Sequence, residues 1–167
     1  VDNHRISVTL RESVLEAKEL ADRGLLAKDI KKELEERAYE ACIYITVDTL
    51  EFLKKGGRIT PAGAAIGAML NIKPVLTIQG EKLDAFAKVR GMKKGKHKML
   101  EALRQDLDSR FKEVDMSRIV IGAAGSGLSE EDAREWTDTL QKTFPKATVY
   151  YNPLSFSVGS HTGPGAV

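Results

Sequence analysis

Pro74-Val75-Leu76-Thr77-Ile78-Gln79-Gly80-Glu81-Lys82-Leu83-Asp84-Ala85-Phe86-Ala87-Lys88-Val89 is the stretch that decides the fold. Pro74 to Ile78 is apolar and β-branched behind a proline that suits the start of a strand. Gln79-Gly80 turns the chain and Leu83 to Val89 reads as a second strand, so the segment predicts a hairpin. Upstream, Ala62 to Leu70 is a helix of small residues. Before it, Ala41 to Val47 is a strand, and Asp48 caps a short helix, Thr49 to Lys55, that Gly56-Gly57 ends. Two helices precede that strand. The first is capped by Thr9 or Ser13, carries Val14, Leu15, Ala17, Leu20 and Ala21, and stops at Gly24. The second, Ala27 to Tyr39, sets Ile30, Leu34 and Ala38 on one face. Downstream of the hairpin, Lys96 to Phe111 predicts a helix and Arg118 to Ala123 a strand. After the loop Gly125-Ser126-Gly127, Ser129 caps a helix from Glu130 to Thr143, with Asp132 in a loose capping box. Pro145 ends that segment, and Thr148 to Tyr151 is a last strand. The pattern predicts an α/β (mixed α+β) fold, a mixed sheet with helices packed on it, in a single domain over residues 1–167.

Composition narrows the function classes. The 167 residues suffice for one domain with a real core, and 42% hydrophobic with 30% charged residues is ordinary for a globular protein. A net charge of +2 gives no global case for nucleic acid. Cys42 is alone, so no internal disulfide can form, and its apolar neighbours predict a buried, inert thiol. No run approaches the length of a membrane span and no signal peptide is visible, so a cytoplasmic location is the expectation. Val1 is not a methionine and Gly163-Pro164-Gly165-Ala166-Val167 is an apolar close, which reads as a piece of a longer chain.

Four segments carry chemistry. Lys54-Lys55-Gly56-Gly57-Arg58-Ile59 delivers one arginine at a junction between two helices. There it can fork onto an anion, or stand solvated beyond a C-cap turn. The small-residue helix Ala62 to Leu70 admits close packing by a neighbouring helix or by a hydrocarbon chain. Lys88 to Lys98 holds six Lys or Arg residues and one His without an acid, with Arg90, Lys93 and Lys94 near the passage from strand to helix. This run is a solvated face or a dock for an acidic surface or a phosphate; it lacks the aromatics of a nucleic-acid groove. In Ser160-His161-Thr162-Gly163-Pro164-Gly165 the turn-forming residues present His161 from a rigid loop, as a structural histidine or a ligand contact. No His, Cys or carboxylate set stands at metal spacing, and no phosphate loop with its lysine is found.

In this order the segments resemble the DegV family. The resemblance lies in Thr49-Leu50 through Leu53-Lys54-Lys55-Gly56-Gly57-Arg58-Ile59, Ile72-Lys73-Pro74, Lys88-Val89-Arg90-Gly91 and His161-Thr162-Gly163-Pro164-Gly165. Asp2-Asn3 stands where the family usually has an Asp-Ser-like start. The resemblance implies the C-terminal domain of a two-domain protein that holds a long-chain fatty acid between its domains and has no cofactor. It implies His161 as the carboxylate contact, with Thr162, Gly163, Arg58 and Ile59 about the ligand. It further implies that Arg90, Lys93 and Lys94 dock a separate fatty acid kinase catalytic subunit, to which the carrier presents the carboxylate. The chain's own N-terminal domain would complete the site.

Two rival readings remain from the residues. His161 could be a phosphoryl acceptor or general base in a phosphotransferase or small-molecule kinase-like domain. The basic run could make the chain a pure interaction module.

Overall fold

The computed structural model describes residues 1–65, 72–79 and 82–167, which divide into two compact units, Val1–Ile43 and Tyr44–Val167. The first unit is a helical pair, α1 (Ser7–Asp22) and α2 (Ala27–Glu36). Val8, Leu20 and Leu34 are its buried apolar residues. Thr9 lies inside α1, where its hydroxyl binds the Ile6 backbone in both directions, and Ser13 is buried against Asn3 Nδ2 at 2.5 Å. The first residues fold back on the helices: Asp2 N donates to Glu35 at 2.9 Å and Arg5 Nη2 to the Arg37 carbonyl at 2.6 Å. The Asp2 N–H holds the Glu35 carboxyl below its ordinary range. The helix ends at Glu36, short of the expected Tyr39.

The second unit runs β1 (Tyr44–Thr46), α3 (Glu51–Lys55), α4 (Pro61–Ala65), β2 (Ile72–Gln79), β3 (Lys82–Arg90) and α5 (Met92–Asp108). A 3₁₀ turn at Met116–Arg118 leads to β4 (Val120–Gly125), α6 (Glu130–Thr143), β5 (Thr148–Pro153) and α7 (Phe156–Thr162). The mixed α/β class stands, but the strands form two sheets: an antiparallel one in the order β1-β2-β3 and a parallel pair β4-β5. The hairpin is present as β2 and β3; the turn expected at Gly80 and the part of the expected helix from Ile66 to Leu70 lie outside the described residues. Pro74 sits within β2 rather than at its start. Its missing N–H is tolerated because β1 pairs only as far as Val75.

Strand β2 is covered on both faces. A register shift falls between Val75 and Leu76, and these two fully buried neighbours serve different cores. Val75 joins Met99, Leu100, Ile121, Trp136, Leu140 and Phe144. Leu76 joins Ile45, Val47, Leu50, Leu53, Ile59 and Ala166. Each such side chain contributes about 1.5–3 kcal/mol through its burial. The C-terminal residues link the sheets by backbone bonds. Val167 exchanges bonds with Thr46 at 2.8 and 3.0 Å, while Ser126 N donates to Ala166 O at 2.9 Å and Gly165 N to Ser126 O at 2.7 Å. Ser129 caps α6 as expected, its hydroxyl accepting from Asp132 N at 3.0 Å. Cys42 is half-buried just before β1, so the deep burial expected of it is not found.

Candidate functional site

Two motif segments a hundred positions apart in sequence meet where α3 packs against α7. Helix α3 buries Leu53 and leaves Phe52 on its outer face. The helix stops at the glycine pair, and the pair divides its labour. Gly57 has φ +64°, a region where a side chain is strained, so it makes the turn. Gly56 has ordinary helical angles, φ −79° and ψ −5°, yet a Cβ there would collide with Nδ1 of His161 and lie 3.1 Å from its Cε1. His161 therefore rests its ring on the bare backbone of Gly56. Arg58 Nη1 donates to the Gly56 carbonyl at 3.1 Å. Arg58 and His161 thus each approach the same glycine.

His161 is not on a loop, as the turn-forming residues predict, but in the last turn of α7. Ser155 caps that helix, and Gly163 closes it at φ +77°. The Gly163 backbone also seats Phe52: a Cβ there would stand 2.5 Å from the ring's Cδ2. Thr162 is buried, with one long contact to the Gly163 carbonyl at 3.5 Å. The Ser160 hydroxyl is occupied within the helix, donating to Ser157 O at 2.9 Å. Phe156 opens α7 at 93% exposure. Phe52 and the seating role of Gly56 are invisible in the sequence; an aromatic on the outer face of a short helix beside two glycines is the only local sign.

The segment after Gly57 is fixed to β3. Leu83 N donates to Arg58 O at 3.0 Å and Thr60 N to Leu83 O at 2.9 Å. Thr60 Oγ1 donates to Asp84 at 2.5 Å, which holds the Asp84 carboxyl below its ordinary range, and accepts from Gly63 N at 3.1 Å. Ile59 is buried in the Leu53–Leu76 core, so its side chain anchors this segment from within, while Arg58 next to it is exposed.

The basic run is a separate feature. Helix α5 begins at Met92, one turn earlier than expected, so Lys93 and Lys94 lie exposed in its first turn, with Arg90 exposed at the end of β3. Gly91 makes the passage between them at φ +80°. Part of the run is engaged: His97 and Lys98 pair with Glu101 at 3.2 and 2.8 Å, and Lys96 lies over the Trp136 ring at 5.4 Å. Arg90, Lys93 and Lys94 have no ion pair among the described residues, and no hydrogen bond or ion pair joins them to Arg58 or His161.

These features define an α/β unit in which Arg58 and His161 both contact Gly56, with exposed Arg90, Lys93 and Lys94 about the start of α5. The profile of the DegV family, described as uncharacterised, matches residues 1–167, and the chain belongs to that family. Protein DegV of Bacillus subtilis is 34% identical over 154 residues, 92% of this chain and 52% of that protein. A Thermotoga maritima protein named as fatty acid-binding is 29% identical over 155 residues, 90% of this chain and 51% of the other. Among solved structures, a DegV family protein from Thermus thermophilus, described for its fatty acid binding, superposes with a TM-score of 0.77 at 34% identity. That match covers 99% of this chain and 57% of the other. The chain spans about half the length of the curated relatives it matches. Among the described residues no helix is long and apolar enough to cross a membrane.

Proposed function

We propose that this chain is the C-terminal part of a two-domain cytoplasmic carrier that holds a long-chain fatty acid and presents its carboxylate to a separate kinase. The observation that carries the reading is the corner at Gly56, whose carbonyl holds Arg58 and whose bare Cα faces the His161 ring. A carboxylate entering a partly apolar cleft must find fixed donors or a cation, or its desolvation defeats binding. His161, with no hydrogen-bond or ion-pair partner among the described residues, is free to serve, and Arg58 adds a full charge. The backbone about Thr162 and Gly163 holds the histidine's helix end, and Ile59 fixes Arg58. The alkyl tail then contributes about 0.8 kcal/mol per buried methylene, so one polar anchor suffices for a long chain. The carrier's own N-terminal domain supplies the other wall of the cleft.

The chain is read as a carrier and not as the phosphotransferase. A general base or phosphoryl-accepting histidine is usually oriented by a carboxylate, and no carboxylate contacts His161 among the described residues. Arg90, Lys93 and Lys94 are assigned to docking the kinase, since exposed charges of one sign raise association rates with an acidic surface.

The test is native mass spectrometry and titration of the two-domain protein with oleate. The protein is expected to carry one long-chain fatty acid, and His161→Ala is expected to weaken binding by about 1–3 kcal/mol, the value of a hydrogen bond to a charged group. A protein that stays unliganded in excess oleate refutes the carrier reading.

A further inference from the structure

We infer that Gly56 is the positioning residue for His161, and that its missing side chain selects Nε2 as the nitrogen that meets the ligand. The inference rests on the fatty-acid reading above for what His161 contacts.

Two glycines stand side by side, and only one needs to be glycine for its backbone. Gly57 has the positive φ; Gly56 has helical angles that any residue adopts. A Gly→Ala change at such a position normally stabilises, because it restricts the unfolded chain. At Gly56 the space for the methyl group is taken by the imidazole, with Nδ1 the nearest ring atom and Cε1 next at 3.1 Å. The third nearest atom is Phe52 O at 3.2 Å, so Nε2 lies farther off still. Nδ1 is therefore the ring nitrogen turned toward Gly56, and Nε2, the nitrogen farther from it, is the one assigned to the ligand. The ring is half-buried and has no hydrogen bond among the described residues to fix it. Contact with Gly56 thus does the orienting that a carboxylate or carbonyl does for many functional histidines. Arg58 is held to the carbonyl of that same residue, so displacing Gly56 would disturb both polar groups at once.

The experiment compares Gly56→Ala, His161→Ala and the double variant in the two-domain protein, with oleate as the probe. Thermal unfolding reads the steric contact. Gly56→Ala is expected to lower Tm by about 3 °C or more when His161 is present, and to leave Tm equal or higher when His161 is alanine. Binding reads the function. Gly56→Ala is expected to weaken oleate by about tenfold, and the double variant to bind no worse than His161→Ala alone. Nitrogen-15 spectra of labelled histidine supply a signature that loosened packing would not give. Oleate should shift the Nε2 resonance of His161, and this response should vanish in Gly56→Ala. The inference is overturned if Gly56→Ala binds oleate like the parent while His161→Ala does not, or if oleate shifts Nδ1 instead. Should His161→Ala itself bind normally, the fatty-acid reading of this corner fails, and the ligand role of Nε2 with it.

Discussion

Thr46 is fully buried, and its Oγ1 has no hydrogen-bond partner among the described residues. Its backbone is satisfied by Val167, while its side chain is pressed against α5 at Gly95, where a Cβ would stand 2.8 Å from Oγ1. A buried hydroxyl without a partner carries a desolvation cost with nothing to offset it. Thr46→Val keeps the shape and removes that cost, so it is expected to raise stability by about 1 kcal/mol in urea unfolding. A lowered midpoint would mean that the hydroxyl has a partner, such as an enclosed water. At this scale the sequence was partly readable. Arg58 and His161 stand out by their residue types and flanking glycines, but their meeting at Gly56 depends on two helices packing, which no local pattern contains. Cys42 and Ile59 teach the same lesson: Cys42 has apolar neighbours and is only half-buried, while Ile59 stands between Arg58 and Thr60 and reaches the core.

Among the elements, the long helices and the hairpin were legible because their periodicity is local, although α1 begins at Ser7, ahead of both expected caps, Thr9 and Ser13. Ser129 at the start of α6 is the clearest case. Helix α7 was not legible. Ser155-Phe156-Ser157-Val158-Gly159-Ser160 has poor helix formers, and Gly163-Pro164-Gly165 reads as a turn. What makes it helical is the Ser155 cap together with the seat that Gly163 and Gly56 offer to Phe52 and His161. Helix α5 is a different case, because its start defies the usual rule. It opens with Lys93 and Lys94, without an acid in the first turn and with no side-chain cap at Gly91. Cations there oppose the helix dipole, at roughly 0.3–1 kcal/mol each. Such a placement is explained if the charges serve a partner. Lys93→Glu with Lys94→Glu is therefore expected to stabilise the protein slightly, to leave oleate affinity unchanged, and to slow acyl-phosphate formation by the kinase. The slowing should shrink as salt is raised, since long-range steering is screened. Kinase turnover that ignores the double reversal would remove the docking role from this helix end.

Across the second unit as a whole, the two sheets meet through very little regular pairing. The parallel pair β4-β5 and the antiparallel sheet share a core under α5 and α6, but among the described residues no strand of one pairs with a strand of the other. The link in the backbone is the stretch Gly165–Val167, which bonds to Ser126 just after β4 and to Thr46 at the end of β1. Its side chains are buried as well, Ala166 completely and Val167 at 6% exposure. The same stretch follows directly on His161-Thr162-Gly163, so the pose of the histidine and the union of the sheets depend on one continuous segment. Removing Ala166 and Val167 would expose the place of a buried valine, worth about 1.5–3 kcal/mol, and abolish three backbone bonds at about 1 kcal/mol each. Two of those losses strand N–H donors, on Thr46 and Ser126. The expected result is destabilisation of at least about 3 kcal/mol, a large share of the total for an ordinary domain. Hydrogen exchange should also show β4 and β5 losing protection independently of β1, β2 and β3, where the intact chain opens them together. Equal protection of all five strands in the shortened chain would mean that the shared core alone unites the sheets, with the C-terminal stretch lying passively between them.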